Sequence, residues 1–265
     1  MSVCCGGNLL VRIAALSDLH IGARDYTDGF GHDLEEFSRF LDELEDNHDR
    51  IVLLGDIYQT DHSAVPSRAA ARRMLEQVRR RVPSLAERFD RPPYVHVFGN
   101  HDEIAGEALG SPEHLRVPGR FDVLFIHGHQ FDPVAVRASW AADFGTWGTG
   151  RLRAWGLRPV AWWFEQRDVQ IKDRKFRGPH GPYAKGAEGL SREHDVSIVV
   201  MGHTHVPGIT PFDGGVMVNT GTCSGARTMW VSLDTEQGTI EVHHPEGVDR
   251  HRLSAGTPAR PSGDG

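Results

Sequence analysis

The 265-residue chain has little cysteine and no long apolar run, and both shortages narrow what it can be. Cys4, Cys5 and Cys223 are its three cysteines, too few for a disulfide framework and without a C-x-x-C pair. The opening MSVCCGGNLL lacks the basic region and extended apolar stretch of a secretory signal. No window reaches the roughly 18 apolar residues of a spanning helix. Excess positive charge is missing too. With 29 Lys and Arg against 36 Asp and Glu, the net charge of −7 gives no global attraction to nucleic acid or an anionic membrane. These absences predict a cytoplasmic globular protein, and 39% hydrophobic residues over this length suffice for a sizeable core. What the chain has in quantity is histidine, 16 residues, whose placement matters more than their number.

Six apolar, β-branched-rich runs read as strands: VRIAALSD (11–18), DRIVLLGD (49–56), YVHVFGNHD (94–102), FDVLFIHGH (121–129), DVSIVVMGH (195–203) and GVMVNTG (215–221). Helical periodicity lies between some of them. DLEEFSRFLDELEDN (33–47) opens on an Asp cap and spaces Leu34, Phe37, Leu41 and Leu44 at helical intervals, and SRAAARRMLEQVRRRV (67–82) is a second helix. This alternation predicts a layered α/β architecture. Beyond residue 221, MWVSLDTEQGTIEVHH reads as a hairpin with Gly238 in its turn. Residues 1–253 are expected to form one domain, interrupted at 134–185 by a helical insertion, with 254–265 a disordered tail.

The first five strands all end in polar chemistry: Asp18 and His20; Gly55-Asp56; Gly99-Asn100-His101-Asp102; His127-Gly128-His129; Gly202-His203-Thr204-His205. Ligands of layered α/β proteins bind outside the carboxyl ends of strands, so these groups are expected to meet at one edge. Residues two apart on an extended chain point the same way, so Asp18 with His20, and His203 with His205, can each address a common site. Imidazoles, carboxylates and one amide, with no thiolate, suit Mn²⁺, Fe or Zn²⁺. Seven such groups exceed what one ion with an open position needs, which favours two divalent ions. Any one of these clusters alone is a weak signal; five at successive strand ends are not.

In this order, D-x-H, G-D, G-N-H-D, H-G-H and G-H-T-H resemble the calcineurin-like metallophosphoesterases over roughly residues 11–245. The resemblance implies a four-layer α/β/β/α sandwich with a binuclear metal site. It implies one ion held by Asp18, His20, Asp56 and His205, and a second by Asp56, Asn100, His127 and His203, with Asp56 bridging. A water shared by the ions would attack phosphorus in line. His101 would stabilise the transition state or protonate the leaving oxygen, with Asp102 orienting its ring.

The GHTHVPGI…VMVNTGT and HGHQFD stretches look like the UDP-2,3-diacylglucosamine pyrophosphohydrolase branch, whose helical insertion covers a lipid. Here the insertion carries Trp140, Trp147, Trp155, Trp162 and Trp163 beside Arg151, Arg153, Arg158 and Arg167. Such a cluster can cradle acyl chains, touch a membrane surface through 134–166 on the inner face, stack on nucleobases, or form the insertion's own core. Lys172, Lys175 and Arg177 are candidate diphosphate contacts, with Trp162 and Trp163 as candidate substrate contacts. The chain departs from that branch in reading G-N-H-D and H-G-H where the branch reads G-N-R-D and tends toward H-G-D. A phosphorylated small molecule or nucleotide-lipid is the expected substrate. A nuclease, a cyclic-nucleotide phosphodiesterase and a non-catalytic scaffold are the alternatives. The arginines at 68, 72, 73, 79, 80, 81 and 88 are expected to form a solvated face rather than a nucleic-acid patch.

Overall fold

Alternate residues of the central strands feed different cores, and this alternation builds the layers. In a computed structural model of the chain, which describes residues 12–23, 28–60, 67–132, 160, 163, 167, 178 and 180–253, eleven strands form two sheets. The first sheet holds β1 (Arg12–Leu16), β2 (Arg50–Leu54), β3 (Tyr94–Val97), β9 (Trp230–Asp234), β10 (Thr239–His244) and β11 (Gly247–Arg252), in the order β11-β10-β9-β1-β2-β3. The second holds β4 (His114–Val117), β5 (Val123–Ile126), β6 (Ile198–Met201), β7 (Gly208–Phe212) and β8 (Gly215–Asn219), in the order β4-β5-β6-β8-β7.

Ala14, Leu16, Ile51 and Leu53 pack on the helical side of the first sheet, with Phe37, Leu41 and Leu44 of α1 (Leu34–Asn47), Leu75 and Val78 of α2 (Arg68–Arg81) and Leu85 of α3 (Pro83–Phe89). Their neighbours Ile13, Ala15, Val52 and Leu54 face the other way, onto Val123, Phe125, Ile198, Val200, Val216 and Val218 of the second sheet. Residues between those in turn, Leu124, Ile126, Val199, Met201 and Met217, meet Tyr183 and Ala187. Both belong to α5, Pro182–His194, which follows the short α4, Ile104–Leu109. Three apolar layers thus separate four structural ones, the expected α/β/β/α sandwich. Each layer depends on period-two alternation in strands covered on both faces. Phe125 is fully buried between the sheets, where truncation to Ala would cost about 3–5 kcal/mol.

Both expected helices form where their caps stand. Asp33 accepts from the amides of Glu35 and Glu36 at 3.0 Å, and the Ser67 hydroxyl accepts from Ala70 at 3.2 Å. The expected hairpin also forms, as β9 and β10 around Gly238 at φ 66°. Strands β4, β7 and β11 were not among those expected. β7 carries Pro211 on a sheet edge, and β11 is exposed along nearly its whole length, so neither shows an apolar alternation. Residues 182–185, read with the insertion, open α5 and pack on the second sheet. Most of 134–181 and the 254–265 tail lie outside the described residues. Among the described residues no helix is long and apolar enough to cross a membrane.

Two arginines depart from the solvated face. Arg79 meets the Tyr58 hydroxyl and the Asp90 carboxylate. Arg88 sits on α3 rather than α2 and is buried between α1 and β3, where acidic partners on α1 hold it.

Candidate metal centre

The parallel strands β1, β2 and β3 of one sheet and β5 and β6 of the other end side by side. Their trailing residues therefore converge, as expected of strand ends. Three overlapping triads result: Asp18 with His20 and His205; Asp56 with His127 and His203; and His20 with Asp56 and His101. Within each, the candidate ligand atoms lie within 4.8 Å of one another. His203 and His205 thus join different triads among the described residues.

The convergence does not come from extended alternation, as the spacing suggested. Asp18, His20, Asp56, His203 and His205 have φ of 55°, 49°, 54°, 66° and 60°. They are five of the seven non-glycine residues with positive φ among those described. Left-handed backbone is costly for such side chains and persists only where its surroundings enforce it, so the strain is concentrated on this site. The adjoining glycines follow from the same crowding. A Cβ on Gly55, itself at φ 80°, would lie 2.5 Å from His127 Nδ1, and one on Gly202 would lie 2.8 Å from Asp18 Oδ2.

In the first triad, His205 Nε2 lies 3.1 Å from Asp18 Oδ1 and 3.3 Å from His20 Nε2. Asp18 is fully buried. Its other oxygen takes the Ser17 hydroxyl and, at 3.0 Å, the His203 amide. Burial alone would raise its pKa, but the field and hydrogen bond of His205 outweigh it and hold the carboxyl well below the usual range. Burial, reinforced by His101, lowers His20 to about 3, so the ring is neutral and can ligate.

The second triad centres on Asp56, whose Oδ2 lies 3.1 Å from His127 Nε2 and 3.9 Å from His101 Nε2. Burial opposes ionisation of Asp56, yet His127 and His101 keep its pKa well below normal. Against its own burial, Asp56 raises the His127 imidazole to about 9. His127 Nδ1 lies 2.9 Å from the Leu54 carbonyl, which fixes a proton there and turns Nε2 toward the carboxylate. That Nε2 is buried and has no hydrogen-bond partner of acceptable geometry. An imidazole nitrogen buried against a carboxylate without a well-formed hydrogen bond, in a set without thiolate, fits a divalent cation.

Asn100 is exposed at the end of β3, between Gly99 and His101. Asp102 does not take the role expected for it. Its carboxylate accepts from the amides of Asp56 at 3.2 Å, Ile57 at 2.8 Å, Tyr58 at 3.2 Å and Gly99 at 2.7 Å. It therefore pins the Asp56 loop to the G-N-H-D turn, while the His101 ring is met at Nδ1 by the Gln59 amide, 2.9 Å away. Burial and the nearby Asp56 raise Asp102 to about 6.

Sequence reasoning missed Gln59, which also reaches His20 Nδ1 at 2.8 Å, and Asp132, whose Oδ2 lies 3.2 Å from His203 Nε2. Asp132 thereby helps to orient the His203 ring. Neither residue lies in a histidine-bearing strand end, and only the folded chain brings them in. Of the candidate substrate contacts, Lys172, Lys175, Arg177 and Trp162 lie outside the described residues. Trp163 is helical and 49% exposed, with the Arg167 guanidinium 5.2 Å from its ring centroid.

A sequence profile described as calcineurin-like phosphoesterase matches residues 11–207. The chain is 27% identical over 217 residues to the UDP-2,3-diacylglucosamine hydrolase of Chromohalobacter salexigens, covering 74% of this chain and 81% of that protein. Among solved structures it resembles a predicted phosphoesterase from Streptococcus pneumoniae TIGR4, with 14% identity, 92% of this chain and 99% of that one covered, and a TM-score of 0.43. Zinc-complexed Vps29 from Entamoeba histolytica gives 17% identity, coverage of 91% and 98%, and a TM-score of 0.46.

Proposed function

Because this chain belongs to the calcineurin-like phosphoesterase family, we propose that it is a two-ion hydrolase of a phosphodiester or diphosphate bond. The observation that carries the proposal is the position of Asp56, grouped with His127 and His203 on one side and, on the other, with His20, itself a member of the Asp18 and His205 triad. Asp18, His20, Asp56 and His205 would hold one divalent ion, and Asp56, Asn100, His127 and His203 the other. Mn²⁺, Fe and Zn²⁺ all suit this set. Such an ion pair, when bound, makes water a nucleophile near neutral pH and offsets charge on the phosphoryl oxygens.

The chain's own side chains prepare that chemistry. Leu54 and Asp132 orient His127 and His203 by holding one ring nitrogen of each. Ser17 and the His203 amide fix one oxygen of Asp18 so that the other faces His20 and His205. Asp102 holds the Asp56 backbone through four amides, which keeps its carboxylate from turning away as charge shifts in the site. His101 presents Nε2 beside Asp56, in position to meet a phosphoryl or leaving oxygen.

For the substrate, we favour a nucleotide-linked lipid diphosphate of the UDP-diacylglucosamine kind. The relative's name supports this, as does the Trp-rich insertion, whose exposed Trp163 and Val160 and neighbouring Arg167 offer apolar surface beside a cation. The insertion would then act as a lid over acyl chains. The test is turnover by Mn²⁺-loaded protein on UDP-diacylglucosamine in detergent and on single-stranded DNA. Release of UMP from the lipid is expected. Cleavage of DNA alone would replace the lipid substrate with a nucleic acid, and cleavage of neither would overturn the substrate assignment.

A further inference from the structure

Three triads share the site, but a two-ion centre needs only two, and Gln59 distinguishes the third. Its side chain is 3% exposed and spans two imidazoles, with Oε1 2.8 Å from His20 Nδ1 and Nε2 2.9 Å from His101 Nδ1. We propose that Gln59 is a positioning residue that reserves His20 as a metal ligand and fixes His101 as the Nε2–H tautomer, a hydrogen-bond donor to substrate that holds no metal. The proposal rests on the two-ion phosphoesterase function proposed above.

His20 Nε2 faces His205 Nε2 at 3.3 Å and Asp18 Oδ1 at 3.9 Å, so it is the nitrogen turned to the ligand cluster. A ligating nitrogen carries no proton, which places the proton of the neutral ring on Nδ1. That N–H needs an acceptor, so the oxygen of the Gln59 amide must face it. The far end of the same amide is then NH₂, which donates and cannot accept. His101 Nδ1 receives it and must be bare, and the proton of the neutral ring goes to Nε2. Turning the amide over would place a donor against His20 Nδ1, move that ring's proton to Nε2 and take His20 out of the ligand set.

His101 Nε2 is the atom 3.9 Å from Asp56 Oδ2. Bearing a proton, it cannot bind an ion, and the triad of His20, Asp56 and His101 is excluded as a third metal site. It can instead donate to an oxygen of the substrate. A neutral N–H steadies negative charge on a departing oxygen without giving up its proton. In the hydrolysis, the water oxygen bonds to phosphorus, one water proton passes to solvent, and the broken P–O bond leaves its electron pair on the departing group. This arrangement suits groups stable as anions, such as the phosphate of a diphosphate, better than alkoxides.

The test reads the tautomer directly, on the full chain labelled with ¹⁵N-histidine and loaded with diamagnetic Zn²⁺. Long-range ¹H–¹⁵N correlation, with the His101 signals identified by their loss in His101→Gln, is expected to show Nδ1 bare and Nε2 protonated. In Gln59→Glu, which keeps an acceptor for His20 but offers no donor to His101, the proton should appear on His101 Nδ1 while zinc stoichiometry is unchanged. Gln59→Leu should lower kcat about 10²-fold with little change in KM. A protonated Nδ1 in the wild type, or a His101 spectrum unmoved by Gln59→Glu, would overturn the proposal. Because no substrate is present, absent turnover does not obscure the result. Failure to bind zinc would overturn the metal centre itself and the tautomer assignment with it.

Discussion

Among the described residues, the network around the buried Arg88 and the cluster at the strand ends differ in how completely they satisfy themselves. Around Arg88, Nε reaches Glu45 at 2.6 Å and the Tyr94 hydroxyl at 3.1 Å, one terminal nitrogen reaches the Ser38 carbonyl and hydroxyl at 3.1 and 3.0 Å, and the other reaches Asp42 at 2.7 Å. All three guanidinium nitrogens have acceptors, and two carboxylates answer the single positive charge. Although burial opposes it, Glu45 and Asp42 raise the Arg88 pKa above its ordinary value. The cluster at the strand ends does the reverse. It gathers Asp18, Asp56 and five imidazoles, sets His127 Nε2 3.1 Å from Asp56 without a hydrogen bond of acceptable geometry, and holds five side chains on left-handed backbone. A closed network ties α1 to α3; an open, strained one is what a cation would complete.

Removing one member from each cluster should therefore have opposite consequences. Asp56→Ala takes the carboxylate shared by both proposed ion sites and is expected to lower divalent-dependent hydrolysis by about 10³-fold or more, measured as kcat/KM beside the wild type. Arg88→Met should leave kcat/KM unchanged but cost about 2 kcal/mol of stability by urea denaturation, since Glu45 and the Tyr94 hydroxyl lose their shared cation. Equal damage to activity from both variants would erase the distinction.

A smaller effect is expected where the backbone crowds the centre. In Gly202→Ala, the new Cβ would press on Ser17 Oγ and Asp18 Oδ2, and metal affinity by calorimetry should fall about tenfold. The smallest is expected at His96 on β3. Burial lowers His96 to about 4, so the folded state keeps it neutral while the unfolded chain titrates at its ordinary value of 6.5. The stability from that neutral form is complete above 6.5 and is lost as pH falls from there toward 4. Urea midpoints at pH 7 and pH 4.5 should accordingly converge more for His96→Gln than for the wild type.

How much of this was legible beforehand differs between the two clusters as well. The candidate ligands could be read because they cluster at the ends of apolar runs, with Asp56, Asn100, His127 and His203 each beside a glycine, a local pattern. The network around Arg88 could not, because Ser38, Asp42 and Glu45 look like an ordinary acidic helix face and meet the arginine only across more than forty residues of chain. Gln59 and Asp132 were hidden for the same reason. Asp102 shows the converse error. Its place beside His101 suggested a partner for that ring, but its carboxylate turns to four amides of the neighbouring turns, leaving the ring to Gln59. The succession of apolar runs and helices pointed to a layered α/β architecture and the family resemblance to the four-layer sandwich, whereas left-handed turns after the strands replaced extended alternation as the device that aims the polar side chains.

If Asp56 joins two cation sites into one, the number of ions each chain binds depends on it. Metal-stripped protein titrated with Zn²⁺ by calorimetry, with the bound ion counted by elemental analysis, should hold two ions per chain, and Asp56→Ala fewer than two at the same free zinc. Two ions retained by Asp56→Ala, or fewer than two in the wild type at saturation, would contradict it.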